Sequence, residues 1–315
     1  MPRGQPFTAL CRSSARRVVH GCADLHVHST FSDGVYTPAE IVSLARRSGL
    51  AAVAVTDHDT LDGVAPALAA ARGTDLEVIP ALEITAEHDS RELHLLGYFV
   101  RTDDGPLQAA LERLRAHRAG RFWEMVERLR GAGVSFAQEE LASHARSGSL
   151  GRRHLAALLV QSGRAHNVQE AFARYLSDRG RVAAPKLRLP AGEAIALIVN
   201  AGGVAAWAHP AYHGTKERLA ELRALGLQAV EVAYPGHRPA LERELRRHAA
   251  ELGLAVTGGS DCHGPGVPRR AIGASGVNAE ELERLRSLAG GPPVRRCSLN
   301  PEPTTTAQPS PLAPI

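Results

Sequence analysis

The segment DLHVHSTFSDG, residues 24–34, sets two histidines two positions apart in an apolar run and follows them with Asp33 and Gly34. Residues 23–28 read as a β-strand. On a strand, side chains two positions apart project to the same face, so His26 and His28 point together while Val27 faces the opposite side. Two imidazoles on one face can chelate a metal. The same pair is also at home as satisfied core histidines, so its meaning depends on what other strand ends carry.

Further short apolar runs recur at 51–56, 76–82, 93–99, 203–208, 228–233 and 254–259. They alternate with helical patterns at 38–48, 61–72, 191–201, 216–225, 238–252 and 279–289, the first opened by Thr37 as N-cap and Pro38 at the first helical position. Strand–helix alternation predicts an α/β fold with a parallel sheet, and about seven strands suit a closed or nearly closed barrel. The rhythm breaks from about residue 103 to 190, where LQAALERLRAHRAGRFWEMVERLRGAG reads as one or two long amphipathic helices, with shorter helices at 137–145, 153–162 and 168–177. The expected organisation is a barrel over 22–102 and 187–290, interrupted by an all-helical insertion over 103–186 between the fourth and fifth strands. Residues 1–21 and the Pro/Thr-rich 291–315 read as disordered extensions.

At 315 residues the chain can bury one large core or two ordinary ones. No apolar run approaches the roughly 20 residues of a membrane span, and no signal core is apparent, so a soluble cytoplasmic protein without membrane contact is expected. Cys11, Cys22, Cys262 and Cys297 lack C-x-x-C spacing and read as free thiols. The formal charge is +4, and Lys186 and Lys216 are the only lysines among many arginines. Between Arg113 and Arg188 basic residues crowd the insertion, which favours an anionic partner, although solvated helix faces account for most of them. Nothing in the sequence points to a stable protein partner.

Metal-binding residue types recur at the other strands. His58 follows the second, flanked by Asp57 and Asp59; Glu83 follows the third, His94 lies on the fourth and His209 follows the fifth. The seventh ends in Asp261 and His263, again two apart. In a parallel barrel all C-terminal strand ends open on one face, so these groups converge. A structural His–Asp network is the alternative reading, but packing so many ionisable groups without cations costs on the order of several kcal/mol per uncompensated charge. Nine candidates exceed the roughly four to six ligands of one ion, so two or three metals sharing a bridging carboxylate are expected. Mixed imidazole and carboxylate donors suit Mn²⁺, Fe²⁺ or Zn²⁺ better than Ca²⁺ or Mg²⁺.

In order and spacing, DLHVHSTFSDG, TDHDT, the Glu of PALEIT, ELHLLGY, AHP and GSDCH resemble the motifs of the PHP (polymerase and histidinol phosphatase) family over about residues 24–273. The resemblance implies a distorted (β/α)7 barrel, a trinuclear site with Mn²⁺ foremost, and phosphoesterase activity. The insertion is similar to that of the branch acting on 3′,5′-nucleotide bisphosphates and trimming short RNA from the 5′ end. By that analogy His26, His28, Glu83 and Asp261 hold one ion, Glu83, His94 and His209 a second, and Asp33, His58 and His263 the third. By the same resemblance Arg152 and His154 of GRRHLAALLVQSG would meet substrate phosphate and Arg179 of YLSDRGR matches a second substrate-side arginine, the alternative being that these arginines are exposed charges at helix termini. Here the sequence departs from the branch: Asp178 is inserted before the Arg-Gly pair, and AAP stands where an aromatic is usual. Glu231, at the end of the sixth strand, would orient a ligand from behind or meet an arginine.

The implied reaction is attack by metal-bound hydroxide on a terminal phosphate or the adjoining diester of a nucleotide or short RNA. A histidinol-phosphate phosphatase, a polymerase proofreading module and a non-catalytic metal-dependent nucleotide-binding protein are the rivals. The basic insertion, the absence of accompanying polymerase sequence and the complete ligand set argue against them in turn.

Overall fold

β1 (Ala23–Val27), β2 (Ala52–Val55), β3 (Glu77–His88), β4 (Arg91–Tyr98), β5 (Leu189–Pro190), β6 (Val204–Trp207), β7 (Ala229–Ala233) and β8 (Ala255–Gly258) form one sheet in the computed structural model, which describes residues 23–144, 148–177 and 180–290. Neighbours along it run β1, β2, β3, β4, β6, β7, β8, with β5 added alongside β3. The sheet nearly closes where β1 meets the segment after β8. There the His28 N–H donates to the Cys262 carbonyl at 2.9 Å and the Asp261 N–H to the His26 carbonyl at 2.8 Å.

The expectation of a parallel sheet needs correcting, because β4 runs antiparallel to both β3 and β6. The cause is the connection. β3 continues past Leu82 to His88, and only Asp89 and Ser90, with φ of 49° and 59°, separate it from β4. A two-residue turn of left-handed residues makes a hairpin and leaves no length for a crossover helix. β5 was not foreseen either, since two residues pairing with Ala86 and Glu87 carry no periodicity.

The helices are, in chain order, α1 (Pro38–Arg47), α2 (Val64–Ala71), α3 (Gly105–Gly131), α4 (Gln138–His144), α5 (Arg152–Gln161), α6 (Val168–Arg174), α7 (Ala191–Asn200), α8 (Lys216–Ala224), α9 (Pro239–Leu252) and α10 (Ala279–Arg286). α1 starts as its sequence requires. The Glu40 N–H donates to the Thr37 hydroxyl, the Thr37 N–H donates to the Glu40 carboxylate, and Pro38 takes the first position. Its buried Ile41, Val42 and Ala45 pack with Val27, Val53, Val55 and Val78 of the first three strands.

α3 has 27 residues, about 40 Å of helix, and serves two cores. Its first half puts Leu107, Leu111 and Leu114 with Leu82, Ile84 and Leu95 of the sheet and Ile195 and Ile198 of α7. Its second half puts Phe122, Met125 and Leu129 against Leu155, Leu158 and Leu159 of α5 and Ala171 of α6. Between the halves, two arginines reach back to the loop after β2 and to β3. Arg115 donates to the Thr60 hydroxyl at 2.9 Å and to Asp62 at 3.0 Å; Arg118 donates to buried Asp59 at 2.5 Å and to the Thr85 hydroxyl at 3.0 Å. Among the described residues no helix is long and apolar enough to cross a membrane.

Candidate metal centre

His26 and His28 share a face of β1 as the two-residue period demands, their Nε2 atoms 3.1 Å apart and both side chains fully buried. Neighbouring backbone must come very close to hold them. A Cβ at Gly34 would lie 2.2 Å from the His28 carbonyl oxygen, and one at Gly259 would lie 2.4 Å from His26 Cβ, so both positions require glycine. The loop carrying Asp33 is fixed by Asp57, whose carboxylate accepts from the Ser29 N–H at 2.7 Å and from the Ser29 and Ser32 hydroxyls at 2.6 Å. Asp57 and Asp59 thus brace loops: Asp59 accepts from the Thr85 N–H and Arg118.

Glu83 stands at the middle, almost wholly buried, and its two oxygens face different partners. Oε1 lies 2.8 Å from His94 Nδ1 and 3.1 Å from His209 Nε2. Oε2 lies 2.9 Å from His58 Nδ1, 3.4 Å from His28 Nε2 and 3.6 Å from His26 Nε2. Asp33 Oδ1 is 3.2 Å from His263 Nε2 and 3.8 Å from both His28 Nδ1 and His58 Nε2. Asp261 Oδ1 faces His28 at 3.3 Å, His263 at 3.4 Å and His26 at 3.5 Å. All nine side chains nominated from the sequence therefore meet. His94 reaches the cluster from the first half of β4 because that strand runs backwards, bringing its start to the mouth where the parallel strands end.

The donor set fits cations. His26, His28 and Glu83 form a triangle with edges of 3.1, 3.4 and 3.6 Å, against edges of roughly 3.3–3.6 Å for tetrahedral ligands about 2.0–2.2 Å from one ion. His58, Glu83 and His94 form a second compact set, and His28, Asp33, His58 and His263 a third. This grouping shares His28 and His58 between sets, whereas the family analogy gave each to one ion. Among the described residues, seven buried side-chain atoms make no hydrogen bond of acceptable geometry, and four of them, His28 Nδ1, Asp33 Oδ1, His58 Nδ1 and Glu83 Oε2, belong to the cluster, where they lie close to one another without being aligned to bond. Unpaired lone pairs buried together are costly unless a cation receives them.

Charge in the cluster is polarised accordingly. Burial opposes ionisation of Glu83, yet His58, His94 and His26 overcome it and hold the carboxyl well below its usual range. Asp33 and Asp261 are depressed in the same way by imidazoles that outweigh burial. Burial likewise opposes charging His94, and Glu83 overrides it, raising the imidazole to about 9. His28 goes the other way, to about 3, through burial and the neighbouring His263.

Carboxylates behind the ligands fix their orientation. Glu231 lies 2.9 Å from His26 Nδ1 and accepts from the His209 N–H at 2.7 Å, so it orients ligands from behind. Glu92 lies 3.3 Å from His94 Nε2 and is itself held by Lys186 at 2.5 Å and Arg188 at 3.0 Å. Glu92 escaped the sequence reading, though its place two residues before His94 on one strand face was a usable signal. Lys186 had a weaker one, as one of two lysines in an arginine-rich chain.

The substrate-side residues are placed less directly. Arg152 donates to the Leu176 carbonyl at 3.3 Å and lies over the Phe172 ring, within the insertion. His154 is buried, and its Nδ1 accepts from the Gly151 N–H at 3.0 Å, capping α5. Arg179 lies outside the described residues. Arg153, between the first two, lies near enough to His263 to oppose its protonation, though less strongly than burial does and against the larger pull of Asp33 and Asp261.

The sequence matches the PHP domain over residues 24–175. It is 34% identical to a 5′-3′ exoribonuclease of Haemophilus influenzae over 77% of this chain and 90% of that protein. It is 31% identical to a 3′,5′-nucleoside bisphosphate phosphatase of Chromobacterium violaceum over 79% and 90%, and 30% identical to a phosphoribosyl 1,2-cyclic phosphate 1,2-diphosphodiesterase of Eggerthella lenta over 76% and 94%. Its fold is similar to that of a Bifidobacterium adolescentis protein proposed to be a metal-dependent phosphoesterase, with a TM-score of 0.79 and 31% identity over 85% of this chain and 96% of that one. With relatives this similar along most of their length, and with one cluster gathering every motif, the chain belongs to the PHP domain family of metal-dependent phosphoesterases.

Proposed function

We propose that this phosphoesterase hydrolyses phosphate esters of nucleotides, as a 3′,5′-nucleotide bisphosphate phosphatase or a 5′-to-3′ exonuclease on short 5′-phosphorylated RNA. We further propose three divalent cations, Mn²⁺ foremost, held by His26, His28, Asp33, His58, Glu83, His94, His209, Asp261 and His263. The observation that carries the multinuclear reading is the division of Glu83, each oxygen serving a different group of imidazoles. Bound cations at such a centre supply water of lowered pKa and neutralise phosphoryl oxygens.

The chain's own residues have separable tasks. Glu83, Asp33 and Asp261 carry the negative charge that retains cations, and the imidazoles complete the ligand sets. Arg153, within electrostatic reach of His263, and α5, whose N-terminus opens at Gly151, supply a positive side on the insertion. That polarity suits a polyanionic nucleotide better than a cationic substrate such as histidinol phosphate.

The test is a substrate panel with Mn²⁺-loaded protein. Adenosine 3′,5′-bisphosphate or 5′-phosphorylated oligoribonucleotides should be turned over with higher kcat/KM than histidinol phosphate or a phosphoribosyl 1,2-cyclic phosphate. Preference for either of the last two would overturn the nucleotide reading, and inactivity on all four would favour a binding protein.

A further inference from the structure

Asp261 is held more tightly than a metal ligand alone requires. Its backbone sits in the left-handed region, φ 50°, which strains a residue other than glycine. Arg270, from the short turn Pro268–Arg270 after β8, donates through Nη1 to Asp261 Oδ2, and lies 3.5 Å from the Asp261 carbonyl oxygen. Arg270 Nη2 donates to the Tyr234 hydroxyl at 2.6 Å, and that hydroxyl donates to the same Oδ2 at 3.0 Å. The guanidinium also lies over the Tyr234 ring, 5.3 Å from its centroid. Oδ1, by contrast, is turned to the imidazoles of His26, His28 and His263.

We propose that Arg270 and Tyr234 are positioning residues that occupy Asp261 Oδ2 and leave Oδ1 as its single ligand atom for a cation. The physical reason is geometric. A free carboxylate can swing or bind through both oxygens, whereas one whose distal oxygen accepts a charge-assisted bond and a phenol bond is fixed in plane and direction. The same guanidinium, beside the carbonyl of a strained residue, also keeps the backbone where Oδ1 must be. The proposal rests on the reading that Asp261 holds a metal.

The experiment titrates Mn²⁺ alone into metal-free protein by calorimetry, comparing wild type with Arg270→Gln, Arg270→Lys and Tyr234→Phe. Arg270→Gln should weaken the tightest Mn²⁺ binding by about 10–100-fold, with Arg270→Lys and Tyr234→Phe intermediate. In Co²⁺-substituted protein the visible absorption should drop in Arg270→Gln, as expected when Asp261 becomes free to add its second oxygen. On substrate, kcat should fall while KM stays near wild type. Unchanged Mn²⁺ affinity in both Arg270→Gln and Tyr234→Phe, or a raised KM with unchanged Mn²⁺ affinity, overturns the proposal. If Arg270→Gln does not fold, Arg270→Lys and Tyr234→Phe decide alone. Wild-type protein that binds no Mn²⁺ would instead overturn the metal reading beneath it.

Discussion

Glu83 concentrates the chemistry of the molecule in one carboxylate, since five imidazoles lie within 3.6 Å of its oxygens. Glu83→Gln keeps the size but removes the charge, and should lower kcat/KM by at least ~10³-fold, matching several kcal/mol of lost electrostatic stabilisation. Metal content by elemental analysis should fall with it; a fully metallated, active variant would contradict its place at the centre. Protons and cations compete for these groups. Burial opposes charging His26, His94 and His263, but the surrounding carboxylates raise all three above the ordinary imidazole value of about 6.5, His94 to about 9, so the metal-free fold binds more protons than the unfolded chain just above pH 6.5. Their contribution is complete below 6.5 and is lost as pH rises toward the folded values. The melting temperature of metal-free protein should therefore fall between pH 6.5 and 8, whereas Mn²⁺ binding releases protons, so the stabilisation it adds should grow over the same interval. A gap between the two melting curves that does not widen would refute this. Most of the nine candidates stood out because strand period and residue type bring them to strand ends, whereas Asp33, in the loop after β1, stood out only through the family motif, and His94 reaches the cluster through the direction of β4. Arg270 and Tyr234 were not legible, because residues in loops carry no period and gain meaning only from what they face; Arg153, on α5, is one of many helix arginines until the fold places it.

Elements were legible where their signals are local. Helix starts such as Thr37-Pro38, and the parallel strands with their apolar runs, could be read directly. The direction of β4 could not, because it depends on a turn, Asp89-Ser90, that lies between two strands read as ending and beginning elsewhere. The sequence of α3 signals helix but leaves open whether it is one or two, and does not show that a single helix is shared by two cores, since its apolar positions do not announce their partners. Arg118→Met leaves the fully buried Asp59 uncompensated beside His58, and should destabilise the protein by roughly 3–5 kcal/mol in urea melts. Adding Asp59→Asn should recover part of that loss; a single variant as stable as wild type would mean that the pair is dispensable.

Over the whole molecule the metal candidates come from both sides of the β1–β8 seam, His26 and His28 from one and Asp261 and His263 from the other. A cation shared across it therefore ties the two ends of the sheet together. Chelation should lower the melting temperature, the stabilisation amounting to about 4 kcal/mol when free metal is 1,000-fold above its Kd. Amide exchange should accelerate first at residues 26–28 and 261–262; uniform acceleration across all strands would count against a seam effect. The reversed β4 has a temporal consequence as well. Glu83 and His94 belong to one hairpin and are separated by eleven residues, whereas His209 and Asp261 join from far along the chain. Hairpins close in about 1–10 μs, well before distant segments assemble. A nascent or refolding chain thus presents an embryonic chelator early, and divalent ions in the refolding buffer should speed refolding rather than merely stabilise its end point.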